Sequence, residues 1–156
     1  MDDLRVPKRR IPVEVLLPGG ATRSMALFLA DVAPDHTGQE RPSDLLNGGD
    51  DFIPAFEEGS KAMTFLNRSA ISALRLDPAL DEDVDEDVTI PTEHEVEVLL
   101  REGTALKGLV SYLRPSERSR LVDFLNEGPP FFRLLDGASL VLVNKRHVVR
   151  VTLVNR

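Results

Sequence analysis

Arg41-Pro-Ser-Asp-Leu-Leu-Asn47 is answered in the second half of this 156-residue chain by Arg120-Leu-Val-Asp-Phe-Leu-Asn126. Each stretch leads to a glycine (Gly48, Gly128) and then a phenylalanine (Phe52, Phe131). Working outward, Val13-Glu-Val-Leu-Leu17 returns letter for letter as Val96-Glu-Val-Leu-Leu100. The apolar run 25–32 answers to 106–113, 63–66 to 140–143, Asn67-Arg68 to Asn144-Lys145, and 70–76 to 148–154. Matching segments in one fixed order are the mark of a tandem duplication.

Each copy reads as strands around one helical turn. Short runs rich in Val, Leu and Phe, bounded by Gly, Pro and Asn, predict strands at 13–17, 25–32, 61–66 and 70–76, and at the matching places in the second copy. Pro18-Gly19-Gly20 predicts a hairpin between the first two. Residues 33–42 read as a loop. In the helical turn, Ser43 is expected as the cap and Asn47-Gly48 as a left-handed exit. Asn67 is expected to take positive φ in a tight turn.

A unit of about 60 residues lies near the lower limit for a self-sufficient core. An open four-stranded sheet also leaves edges that invite further pairing. Curling into a small barrel meets both problems, with Leu45/Leu46 and Phe124/Leu125 plugging an open end. The expected fold is therefore mainly β: two tandem small SH3-like or Sm-like β-barrels related by internal duplication. The expected layout is a basic arm at 1–12, a first barrel at 13–76, an acidic linker at 77–93 and a second barrel at 94–156. Two copies sharing one sheet is the alternative arrangement.

The net charge of −7 is concentrated in one place. Residues 77–93 hold eight acids and no lysine or arginine, and six of those acids fall in 81–87. Such a run repels itself and predicts a solvated linker. The remainder is close to neutral, which argues against a broad phosphate-binding face. The basic arm (Arg5, Lys8, Arg9, Arg10) and the arginines of the second copy are what a nucleic acid would meet, but aromatics for base stacking are sparse. No cysteine is present, so disulfides and thiolate chemistry are excluded. His36, His94 and His147 are far apart, Asp81-x-Asp83-x-Asp85 lacks the glycine and terminal glutamate of a calcium loop, and no phosphate-loop or nucleophile-elbow motif occurs. No cofactor, metal or catalytic set is expected. The absence of a leader and of a long apolar run predicts a cytoplasmic protein.

Two groups of residues stand out as candidate sites. The first is the repeated signature, Arg41, Asp44 and Asn47 with Arg120, Asp123 and Asn126. Its Arg and Asp lie three apart on one turn, where they pair, and its Asn ends the turn, so the expected role is structural. The second is the arm. Arg5-Val-Pro-Lys-Arg9 leading into Ile11-Pro-Val13 resembles the arm of PilZ domains, and that resemblance implies cyclic di-GMP held by Arg5 and Arg9, with Arg10 beside them. The companion motif is incomplete, since Ala33 and His36 stand where PilZ domains have Ser and Gly. Across both copies, the order strand, Gly turn, strand, Arg-x-x-Asp-Leu/Phe-Leu-Asn, Phe, strand, Asn-Lys/Arg, strand resembles uncharacterised small bacterial domains of Sm-like appearance. The resemblance implies a fold and no transferable catalytic residue. The function expected is a non-enzymatic interaction or adaptor module that binds protein partners or itself. A cyclic di-nucleotide sensor and a nucleic-acid binder are the alternatives.

Overall fold

Ile11, Val13 and Val15 are buried while Arg10, Pro12 and Glu14 between them face solvent. This period of two makes β1 (Lys8–Leu16) a half-buried strand. It pairs along its whole length with β2 (Thr22–Ala30) across a turn at Pro18-Gly19-Gly20, where both glycines take positive φ. The computed structural model describes residues 8–31, 38–82, 92–112 and 120–154. The first half continues with α1 (Pro42–Leu46), β3 (Phe52–Glu57), β4 (Ala62–Asn67) and β5 (Ala73–Leu76). The second half runs β6 (Thr92–Leu100), β7 (Ala105–Tyr112), α2 (Leu121–Glu127), β8 (Phe131–Asp136), β9 (Ser139–Asn144) and β10 (Val148–Leu153). Single 3-10 turns follow β4, β5 and β9.

Among the described residues, ten strands join one antiparallel sheet in the order β10-β6-β7-β8-β9-β5-β1-β2-β3-β4. Read as halves, the order is fifth-first-second-third-fourth, twice. The registers agree as well. Val15 lies opposite Leu74 in the first half, and Val98 opposite Val151 in the second. Phe52 lies opposite Asn67, and Phe131 opposite Asn144. The halves meet where β5 pairs with β9.

The sheet is not closed. The chain is mainly β as expected, but its strands form one continuous open sheet, whereas two separately closed barrels were anticipated. The reason is visible at the joint: β5 offers its second edge to β9, so an edge that a lone unit would have to shield is used for pairing. The apolar core follows the same rule. One cluster centres on Val15, Leu27, Leu46 and Ile53 but takes in Phe131, Leu140 and Leu142 from the second half. The other centres on Val98, Val110 and Phe132 and takes in Ala73 from the first.

Several local expectations need correction. Among the described residues each half has five strands and not the expected four, the additional ones being β3 and β8. Pro54 hides β3 from a propensity reading, yet β2 pairs only with Ala55–Glu57, so Pro54 lies where no second neighbour asks for its missing N–H. The arm is not separate from the first unit from residue 8 onward, since Lys8–Pro12 extends β1. Pro12 is tolerated because β5 reaches only Glu14–Leu16, leaving β2 as its single neighbour. Arg41, not Ser43, is the N-cap of α1, and neither Asn47 (φ −91°) nor Gly48 takes positive φ. Asn67 likewise keeps φ at −70° and caps the following 3-10 turn by accepting from the Ser69 N–H. The positive φ belongs to Lys61 in the β3–β4 turn.

Candidate interaction surface

The joint between the halves shows what this sheet does with an edge. Ala73, Leu74, Arg75 and Leu76 of β5 lie opposite Val143, Leu142, Val141 and Leu140 of β9. Side chains then lock the pairing. The Asn144 amide donates to the Ile71 carbonyl at 2.9 Å, and its backbone N–H donates to the Ser72 carbonyl at 3.0 Å. His147 Nε2 lies 2.7 Å from the Ser69 carbonyl, to which it donates, and Nδ1 lies 3.3 Å from the Ser72 hydroxyl. Although a Ser–His contact suggests a nucleophile, Ser72 is fully buried, and the pair ties the two halves together.

Asn47, expected merely to end a helical turn, reaches across this joint. Its oxygen accepts from the Phe131 N–H at 2.8 Å and its nitrogen donates to the Phe131 carbonyl at 3.2 Å. The amide thus imitates one residue of a neighbouring strand at the start of β8. Asp81, read as part of a solvated acidic run, is fully buried. Its carboxylate accepts from the Ser43 N–H at 2.7 Å and pairs with Arg133 of β8. The 3-10 turn Pro78–Asp81 carries that carboxylate back over α1, which the composition of the run concealed. Arg75 and Asp136 form a further ion pair between the halves at 3.1 Å.

Within the signature, Arg41 and Asp44 pair at 3.1 Å, and Asp44 also accepts from the Arg41 backbone N–H at 2.8 Å. Arg120 and Asp123 pair at 3.2 Å. Asn126, by contrast, is exposed at the end of α2. Leu46 is fully buried, and Phe124 stacks on Tyr112 with centroids 4.6 Å apart, so each helical turn sits on the core of its own half.

Of the arm residues, Arg9 and Arg10 are described, and their side chains go to different partners. Arg9 donates to the Glu40 carbonyl at 2.8 Å and pairs with Asp31, whereas Arg10 lies over the rings of Phe28 and Phe56 at 5.4 and 5.0 Å. Arg5 lies outside the described residues.

Among the described residues, β4 and β10 each have one strand neighbour. Of the seven large exposed apolar side chains among the described residues, six lie there: Phe52, Met63 and Phe65 by β4, and Val149, Leu153 and Val154 by β10; the seventh, Val122, is on α2. Sequence periodicity gave no warning, because Met63 and Phe65 belong to a run that reads as core. Beside β10 lies a groove of about 330 Å³ lined by Leu125, Asn126, Phe132, Lys145, Val148 and Val151. Burial lowers the pKa of Lys145, whose ammonium donates to the Gly128 carbonyl at 3.1 Å. No helix among the described residues is long and apolar enough to cross a membrane. The chain matches no family model, no curated protein and no solved structure.

Proposed function

We propose that the protein is a non-enzymatic interaction module, built from two diverged copies of one small β unit, that binds protein through the outer edges of its sheet. The observation that carries this reading is the gathering of large exposed apolar side chains along β4 and β10. An edge strand presents unpaired N–H and C=O groups, and natural proteins shield such edges with charge, proline or bulges. Here β4 carries Met63 and Phe65 instead, a composition suited to strand addition, in which backbone bonds give affinity and alternate side chains give selectivity. In the alternative of a cyclic di-nucleotide held by Arg5, Arg9 and Arg10, a ligand would have to draw Arg9 from Glu40 and Arg10 from its two rings.

The test places a photo-crosslinking residue at Phe65, at Leu153 and, as control, at the exposed Asp77 in the native host. Protein adducts are expected from the two edge positions and not from Asp77. Equal yields from all three would sink the proposal.

A further inference from the structure

We infer that the partner at these edges is a second copy of the chain, with β10 of one molecule pairing with β4 of the next in the register of the internal joint. The inference rests on the edge-binding reading and names its occupant. Because the halves share strand order and register, each residue at the joint has a counterpart at an outer edge. The β5 residues Ala73–Leu76 correspond to Arg150–Leu153, and the β9 residues Leu140–Val143 correspond to Met63–Leu66. Carrying the joint outward places Leu153 opposite Met63, Thr152 opposite Thr64, Val151 opposite Phe65 and Arg150 opposite Leu66. Apolar meets apolar on one face; on the other, hydroxyl meets hydroxyl at Thr152 and Thr64, and Arg150 stands opposite Leu66.

Burial supports the correspondence. Leu140, Leu142 and Phe131 are 0, 0 and 2% exposed at the joint, whereas their counterparts Met63, Phe65 and Phe52 are 51, 67 and 58% exposed. Leu76 is 5% exposed and its counterpart Leu153 is 51%. The groove beside β10 falls into place in the same way. Its lining residues Leu125, Phe132, Val148 and Val151 correspond to Leu46, Ile53, Ile71 and Leu74, which share a buried cluster with Phe131. In the first half that position is filled by Phe131 from the other half. In the second half it stands open, where Phe52 of a neighbouring molecule would take the place of Phe131. Asn126 then meets the Phe52 backbone as Asn47 meets that of Phe131. Charge agrees with the fit, since Asp50-Asp51 lead into Phe52 and Lys145 and Arg150 border the groove.

Such a contact is heterologous. Chains add head to tail, closing into a ring if the rotation allows and growing as a filament if it does not. The Asp81–Arg133 pair has no equivalent there, because Pro54 replaces Arg133, so the outer contact is weaker than the joint and depends on concentration.

Light scattering on the full chain across the micromolar range tests this. The wild type is expected to sediment and scatter as multiples of 17.3 kDa. Phe65→Glu on the β4 side and Leu153→Glu on the β10 side should each be monomeric alone, because every contact needs one intact β4 and one intact β10. Mixed together they should form a one-to-one dimer, since each retains the surface that the other lacks. Phe52→Ser and Asn126→Ala, which alter exposed positions only, provide a second pair should either glutamate variant lose its circular dichroism. A wild type that stays at 17.3 kDa throughout, or edge variants whose mass matches the wild type, overturns the inference. A monomer that still crosslinks at position 65 to a different protein overturns self-pairing alone. A monomer with no edge-specific adduct removes the edge-binding reading too.

Discussion

Asp81 ties α1 to β8. It is fully buried between Ser43 of α1 and Arg133 of β8, so removing its carboxylate strands the Ser43 N–H and leaves the Arg133 guanidinium only the Asp81 backbone carbonyl there. Breaking a buried ion pair from one side costs about 3–5 kcal/mol. The Arg133 side chain keeps about 30% exposure, which places Asp81→Ala nearer ~2–3 kcal/mol on that scale, measured by urea unfolding. Gly108 is constrained for a different reason. A Cβ added there would stand 2.3 Å from the Leu135 carbonyl oxygen, where β7 and β8 approach each other, and backbone cannot give way cheaply. Gly108→Ala is expected to destabilise by about 1–3 kcal/mol. Lys145 gives a pH signature. Desolvation lowers its folded pKa below the ordinary 10.5, so the folded state releases the proton first. Its contribution to stability is therefore lowest while the amine is charged in both states, and rises as pH climbs through the lowered value towards 10.5. Against Lys145→Met, the wild type should gain in unfolding midpoint over that window, and a constant difference would refute the assignment.

At the scale of elements, the two helical turns have the same sequence signature and different surroundings. Asn47 ends α1 against Phe131, whereas Asn126 ends α2 in the open groove. Asn47→Ala removes two hydrogen bonds to a buried strand start and is expected to cost about 1–3 kcal/mol. Asn126→Ala should leave the unfolding midpoint of the dilute protein unchanged while weakening self-association. Equal losses of stability would show that the two asparagines do the same local work, against the geometry. This asymmetry also marks where sequence reading ends. Repetition of Val13–Leu17 at Val96–Leu100 made the twofold layout of strands legible, and the spacing of Arg41 and Asp44 made their pairing legible. Pro54 hid β3, because propensity is local whereas tolerance of proline depends on which neighbour is absent, and Pro129-Pro130 stand directly before β8. The role of Asn47 was hidden more deeply. Its partner lies 84 positions away in the chain, and nothing local in an Asn-Gly pair distinguishes a helix exit from a strand mimic.

At the scale of the molecule, the halves are joined more firmly than two beads on a string. The β5·β9 ladder, the Asn47–Phe131 and Asn144–Ile71 hydrogen bonds and the Asp81–Arg133 and Arg75–Asp136 pairs all cross between them. Phe131, Leu140 and Leu142 belong to a core otherwise made by the first half, so neither half buries its apolar surface alone. Two consequences follow for experiment. Thermal unfolding should be a single cooperative transition, with the calorimetric and van't Hoff enthalpies in agreement. A protease site inserted between Asp87 and Val88 and cut under native conditions should leave both fragments eluting together at the mass of the intact chain, parting only in denaturant. Asp81→Ala should lower the denaturant needed to part them, because the pair it breaks spans the joint. Fragments that separate in buffer, or two resolved melting steps, would mean that the joint is a contact between self-sufficient units. The internal joint would then be a poor template for what happens at the outer edges.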